Sequence, residues 1–185
     1  MRLKKLAVIL NTSFIVCLFL SAASGSFAQT TTSQNELDKF NKNERVLILA
    51  PHPDDESIAC AGVIQEALAN GAKVKIAFLT NGEHNEFAFI VYNKRITIKK
   101  NEFIRMGKLR RKEAVNAVKI LGVKEGDLSF LGYPDFGTFS IFNNYWDLQK
   151  PFKSLLTRIS KVPYPDGFSP GALYVGENIL ADLKR

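Results

Sequence analysis

Cysteine and histidine are scarce in this chain, with two of each among 185 residues. Cys17 lies in an N-terminal apolar run without the small-residue context of a lipidation site, which leaves Cys60 alone in the remainder. A single thiol excludes an intramolecular disulfide framework, and Cys60, between Ala59 and Ala61, reads as a small buried residue. Long apolar runs are also lacking. Leu6 to Leu20 is short for a bilayer span and is broken by Asn11-Thr12-Ser13. Behind Arg2, Lys4 and Lys5, and ahead of the small residues Ser26 and Ala28, the run reads as a signal peptide over residues 1–28, cut after Ala28. The alternative is an uncleaved anchor. With the signal removed no stable membrane span is expected, and the chain is expected in the cell envelope, the periplasm or the medium.

A strong charge of one sign is missing too. The formal net charge is +7, and removing residues 1–28 leaves 22 basic against 18 acidic residues. Basic residues cluster between Lys94 and Lys112, but without aromatics at a stacking spacing, so no nucleic-acid partner is expected. Gly-rich phosphate-cradling loops are absent, which argues against a metal-dependent phosphoesterase. The length suits one domain.

Residues 29–43, "QTTTSQNELDKFNKN", are polar and read as a linker. The domain is expected over 44–185. "RVLILA" (45–50) is an aliphatic run typical of a strand buried on both faces. A helix follows, with Ile58, Ala61, Ile64 and Leu68 near one face and Gly71 as its stop. "KVKIAFLT" (73–80) is a second strand and "NGEHNE" a turn. Residues 87–100 fit either a strand or an irregular insertion. "GKLRRKEAVNAVKILGV" (107–123) is a helix with Leu109, Ala114, Val115, Val118 and Leu121 on or near one face. "DLSFLGY" is a third strand and "PDFG" a turn. Residues 138–147 are aromatic-rich, 151–160 are compatible with a short helix, and "ENILADLKR" begins another. This alternation predicts an α/β fold, a Rossmann-like, mostly parallel sheet flanked by helices. Ligands of such sheets sit at the carboxyl ends of the strands. His52, Glu83 and Asp135 each follow a predicted strand closely.

The run "PHPDDE" (51–56) carries the most chemistry. His52 leaves the strand and Asp55 enters the helix, so a turn brings an imidazole and a carboxylate within reach of one cation. Pro51 and Pro53 stiffen that turn. Asp54, pointing elsewhere, is free to act as a base. Two adjacent carboxylates repel unless a cation relieves them. The plainer reading is that Asp54 or Asp55 caps the helix, with Glu56 in its first turn.

Together "PHPDDE", "FLTNGE" (78–83), "RRKEAVNAVKILGV" (110–123) and "LSFLGYPDFG" (128–137) resemble the LmbE-like, or PIG-L, N-acetylglucosaminyl deacetylases in order and spacing. The resemblance implies a zinc-dependent hydrolase, with another divalent metal as the variant, that removes the N-acetyl group from N-acetylglucosamine-type amino sugars or their conjugates. It implies His52 and Asp55 as metal ligands, Asp54 as the general base acting on water, and Arg110 and Asp135 as substrate contacts. Aglycone recognition is expected from Phe87–Lys100 and Phe136–Trp146. One feature departs from the family. Its third ligand, a histidine from a His-Pro-x-x-Asp-His-like segment, has no counterpart here and is expected beyond Arg185. His84 reads as an exposed loop residue, with a stand-in ligand as the alternative. The chain is therefore expected to be the N-terminal portion of such a domain, incomplete at the C-terminus. A non-catalytic carbohydrate-binding remnant is the second reading.

Overall fold

The computed structural model describes residues 39–84 and 99–185. The expected signal peptide, the linker up to residue 38, and residues 85–98, with Lys94 and Arg95 of the basic cluster, lie outside the described residues. The elements are β1 (Arg45–Ala50), α1 (Asp55–Ala69), β2 (Lys73–Thr80), α2 (Lys100–Ile120), β3 (Leu128–Tyr133), α3 (Thr138–Asn144) and α4 (Gly176–Leu183), with a 3-10 turn at Glu125–Asp127. Among the described residues the sheet has three strands in the order β1-β2-β3, all parallel. This is the expected α/β architecture. A parallel pair needs a crossover, and α1 and α2 supply the two.

One face of the sheet carries the main core. Ile48 and Ala50 of β1, Val74, Ile76 and Phe78 of β2, and Phe130 of β3 pack with Ile64 and Ala67 of α1 and with Ala114 and Val118 of α2. The rings of Phe78 and Phe130 stack 4.4 Å apart and nearly parallel. On the opposite face Leu131 and Tyr133 pack with Ile141, Val162, Tyr164 and Tyr174, and Leu79 of β2 joins them, so a layer of loops and short helices covers β3 and the end of β2. Helix α4 is pinned there by a buried carboxylate: Asp182 accepts the Tyr133 hydroxyl at 2.8 Å and the Ser169 hydroxyl at 2.6 Å. Burial, and then Asp182, push the Tyr133 phenol up.

Four expectations are corrected. Strand β1 is not buried on both faces: Leu47 is 60% and Leu49 49% exposed, because the loop-built layer does not extend across to β1. A groove of about 820 Å³ runs there, lined by Leu47, Lys75, Ala77, Ser129, Leu131 and Leu183 among others. Ile58 points away from the α1 packing face and is 82% exposed, and Leu109 of α2 is likewise exposed. Helix α2 starts at Lys100, well before Gly107. Glu102 Oε2 accepts the Lys99 N–H at 2.7 Å, and Phe103 and Met106 are buried in the added turns. Residues 151–160 form no helix. Their hydrogen bonds run across the loop, from Phe152 N–H to Tyr174 O and from Ser154 N–H to Ile159 O, and Arg158 sits at φ 56. The aromatic stretch supplies α3. Cys60 is half-buried.

The contrast between the two sheet faces is measurable. Phe78→Ala should cost about 3–5 kcal/mol in urea unfolding, the range for an aromatic truncated in a packed core. Leu47→Ala should cost less than about 1 kcal/mol. Equal losses would show that the outer face of β1 is covered.

Candidate functional site

The three loops that leave the carboxyl ends of β1, β2 and β3 meet around one cleft of about 380 Å³, lined by His52, Asp54, Asp55, His84, Arg110, Asp135 and Phe136. The first loop is tied to β2 at its base, where Pro51 O accepts the Thr80 N–H at 3.1 Å and its hydroxyl at 2.9 Å. His52 then turns its ring between two carboxylates. Its Nε2 lies 3.1 Å from Asp135 Oδ1 and its Nδ1 lies 3.3 Å from Asp55 Oδ2. The same Asp55 oxygen accepts the His52 backbone N–H at 2.9 Å.

Asp54 occupies the N-cap position of α1, yet its side chain makes no cap hydrogen bond. Its backbone is held at φ 129, a left-handed value that a non-glycine residue rarely adopts. The Asp54 N–H donates to Glu56 Oε2 at 2.9 Å, and the buried Glu56 also accepts the Ser57 hydroxyl. Turned out of the helix, the Asp54 carboxylate accepts from Arg110 Nη2 at 2.8 Å. Arg110 also donates to Gly82 O at 3.1 Å and to Pro53 O. One guanidinium on α2 thus joins the β1–α1 loop to the β2 loop, a use of its rigid donor fork. Any Cβ at Gly82, at φ +63, would lie 2.0 Å from Arg110 Nη1.

The β2 and β3 loops share a second set of bonds. Asp135, nearly buried, accepts the His84 N–H at 3.1 Å and its own neighbour's N–H, from Phe136, at 2.9 Å. The Asp135 N–H donates to Glu83 Oε1 at 3.0 Å. His84 is half-buried rather than exposed, with its ring edge-on to Phe136 at 4.3 Å. Behind them lie Asn81, Tyr164 and the Glu83 carboxyl, all buried.

The electrostatics follow from this packing. Burial pushes the Glu83 carboxyl up to about 7, against the opposing pull of the Asp135 N–H. Burial would raise Asp135 as well, but its bond from His52 and the N–H groups of His84 and Phe136 outweigh that and hold it below the usual range. The Asp135 bond raises His52, burial opposes it, and the charges of Asp135 and Asp55 add to the rise.

The donor set suits a cation in one respect. With Nε2–H donating to Asp135, His52 Nδ1 presents its lone pair to Asp55 Oδ2. Two acceptors 3.3 Å apart repel unless a proton or a cation lies between them. Donors on one tetrahedral zinc, with bonds of about 2.0–2.1 Å, are separated by about 3.3–3.4 Å. A carboxylate behind the imidazole is the usual way to fix the tautomer of a metal-binding histidine. Among the described residues no group of three His, Cys, Asp or Glu side chains is placed to hold a metal ion. The fit is that of a two-donor pair.

The family model for PIG-L, GlcNAc-PI de-N-acetylase, matches residues 47–168. The chain belongs to the PIG-L family. The match runs from β1 to the loop beyond Tyr164 and contains every residue that lines the cleft. A relative described as a probable N-acetyl-alpha-D-glucosaminyl L-malate deacetylase 2, from Bacillus anthracis, is 37% identical over 95 residues, which are 51% of this chain and 38% of that protein. The chain thus spans well under half of that relative's length. The crystal structure of GalB, the 4-carboxy-2-hydroxymuconate hydratase of Pseudomonas putida, aligns with a TM-score of 0.42 at 24% identity, over 50% of this chain and 35% of that one.

All five residues singled out in this PIG-L sequence, His52, Asp54, Asp55, Arg110 and Asp135, line the one cleft. Sequence reasoning missed the depth of Glu83 and the place of His84 and Phe136 in the wall. Glu83 had a signal, since it follows a strand closely as His52 and Asp135 do, whereas Tyr164 sits in an irregular loop without one.

The Glu83 shift has a sign. Its folded value of about 7 exceeds the ordinary 4.5, so its contribution to stability is complete below about 4.5 and is lost as pH rises through about 7. In chelator-treated protein the loss should reach about 3 kcal/mol, and Glu83→Gln should flatten it. Urea midpoints at pH 5 and pH 8 check this, and parallel pH profiles for the two proteins would contradict it.

Proposed function

We propose that this chain carries active-site residues of a metal-dependent hydrolase that removes the N-acetyl group from N-acetylglucosamine-type amino sugars or their conjugates. The observation that carries this reading is the His52 ring held between Asp55 and Asp135, with Asp54 turned into the same cleft by Arg110. Family membership and the activity described for the Bacillus anthracis relative support the substrate class. Residues 1–28 support export to the envelope or the medium.

His52 and Asp55 are the residues that would hold zinc or another divalent cation, and that cation would supply electrophilic polarisation of the acetyl carbonyl. The remaining work falls to the chain's own groups. Asp54, half-exposed and anchored by Arg110, takes a proton from the attacking water as its oxygen bonds to the acetyl carbon. When the C–N bond breaks, the same carboxyl returns the proton to the departing amine. Its strained backbone keeps the carboxylate out of the helix cap, where bonds from N–H groups would favour its charged form and make it a weaker base. Asp135 orients the imidazole. Phe136 and His84 form an aromatic wall where the sugar or its aglycone would lie.

Metal content and turnover separate the roles. His52→Ala and Asp55→Ala should each abolish stoichiometric zinc in equilibrium dialysis, whereas Asp54→Asn should retain it. On an N-acetylglucosamine conjugate, Asp54→Asn should lower kcat by about 10²–10⁴ with KM little changed. Zinc content unaffected by either ligand substitution would refute the metal assignment. A chain that holds zinc and sugar without any turnover would favour the non-catalytic reading.

A further inference from the structure

Behind the cleft wall three polar side chains are sealed from solvent without being satisfied. Asn81 is 0%, Glu83 3% and Tyr164 1% exposed. Among the described residues, Asn81 Oδ1 and Nδ2, Glu83 Oε2 and the Tyr164 hydroxyl make no hydrogen bond. A folded chain rarely leaves such atoms unmet, because each has given up water and gained nothing in return. Four in one neighbourhood point to a shared partner.

The backbone brings them together. Asn81 and Glu83 flank Gly82 in the loop after β2. The Tyr164 ring is threaded between two glycines: a Cβ at Gly132 would lie 2.8 Å from its Cδ2, and one at Gly107 would lie 2.2 Å from its hydroxyl oxygen. The same point at Gly107 is 3.2 Å from Asn81 Cβ, so α2 presses phenol and amide into one corner. Burial pushes the phenol up and the nearby Glu83 adds to the rise, while Asn81 opposes it without closing a hydrogen bond. The glycine slot keeps Tyr164 from collapsing onto its neighbours. Glu83 is held by its other oxygen, Oε1, which accepts the Asp135 N–H at 3.0 Å.

We propose that Asn81, Glu83 and Tyr164 enclose an internal water, and that Glu83, braced by it, is a positioning residue that acts on His52 through Asp135. Water matches the inventory. Its donors and acceptors face an amide, a carboxyl and a phenol, and such a site needs only two to four polar partners. An apolar occupant would leave all four atoms unmet. Burial, which favours the uncharged carboxyl, disfavours a cation. The effect runs outward to the cleft. Glu83 Oε1 fixes the Asp135 backbone, and Asp135 Oδ1 lies 3.1 Å from His52 Nε2. The water thus steadies the bond that sets the tautomer of the imidazole. What His52 does in turnover rests on the deacetylase reading, whereas the water and the tautomer do not.

Metal-free protein carries the test, so a failure of the hydrolase reading leaves its outcome untouched. Magnetic relaxation dispersion of the solvent counts long-lived internal waters. Tyr164→Phe removes one oxygen and leaves the ring in its slot, and it should lower that count by about one. His52 is one of two histidines in the chain, and nitrogen NMR above its titration should show a single Nε2–H tautomer. Glu83→Leu should turn this into a mixture of tautomers. Glu83→Gln, which keeps an acceptor for the Asp135 N–H, should restore the single form, and Tyr164→Phe should fall between. Where Glu83→Leu fails to fold, Tyr164→Phe decides alone. An unchanged water count in Tyr164→Phe would overturn the water site. A His52 ring unmoved by Tyr164→Phe and Glu83→Leu, or moved as far by Glu83→Gln as by Glu83→Leu, would overturn the positioning role.

Discussion

The geometry of the cleft depends on the Arg110 guanidinium. Three acceptors from two loops converge on it: Pro53 O, the Asp54 carboxylate and Gly82 O. Neither loop is regular structure, and the backbone strain at Asp54 has to be opposed by something outside its own segment. A planar cation with five donors does this from a helix rooted in the main core, where Ala114 and Val118 are buried. The sheet thus fixes α2, α2 fixes Arg110, and Arg110 fixes the loops that bear the chemistry.

Around the clamp the cleft is built from charge pairs that restrain one another. His52 is held on both sides, by Asp135 and Asp55, and Asp135 in turn takes N–H groups from His84 and Phe136. Glu83 closes the base of the site by accepting the Asp135 N–H from beneath, at a depth where a charged carboxylate is costly. His52, Asp135 and Glu83 are each held by a partner on another strand's loop, the preorganisation that catalytic and binding groups need.

Much of this was legible in the sequence, and the limits have physical reasons. The strands β1, β2 and β3 and the α1 helix announce themselves through apolar runs and stop residues, because periodicity reports local burial. The placing of His52, Glu83 and Asp135 at one edge followed from parallel topology alone. What could not be read was anything set by distant chain. The composition of β1 says buried on both faces, but Leu47 and Leu49 are open because the covering layer does not extend to β1. The turns before Gly107 are helical because Phe103 and Met106 find a core made elsewhere. The 151–160 segment gives up helix for bonds to Tyr174 and across its own loop. Whether Asp54 caps or turns outward depends on an arginine 56 residues away. Local pattern carries no information about such partners.

Gly82 illustrates a different kind of vulnerability. Its missing side chain is the space in which Arg110 reaches the backbone, and it touches the core cluster nowhere. A missense change at this codon would spare the hydrophobic interior while dislodging the guanidinium. The strain of a side chain at φ +63 would fall on the two loops, which would no longer share an anchor.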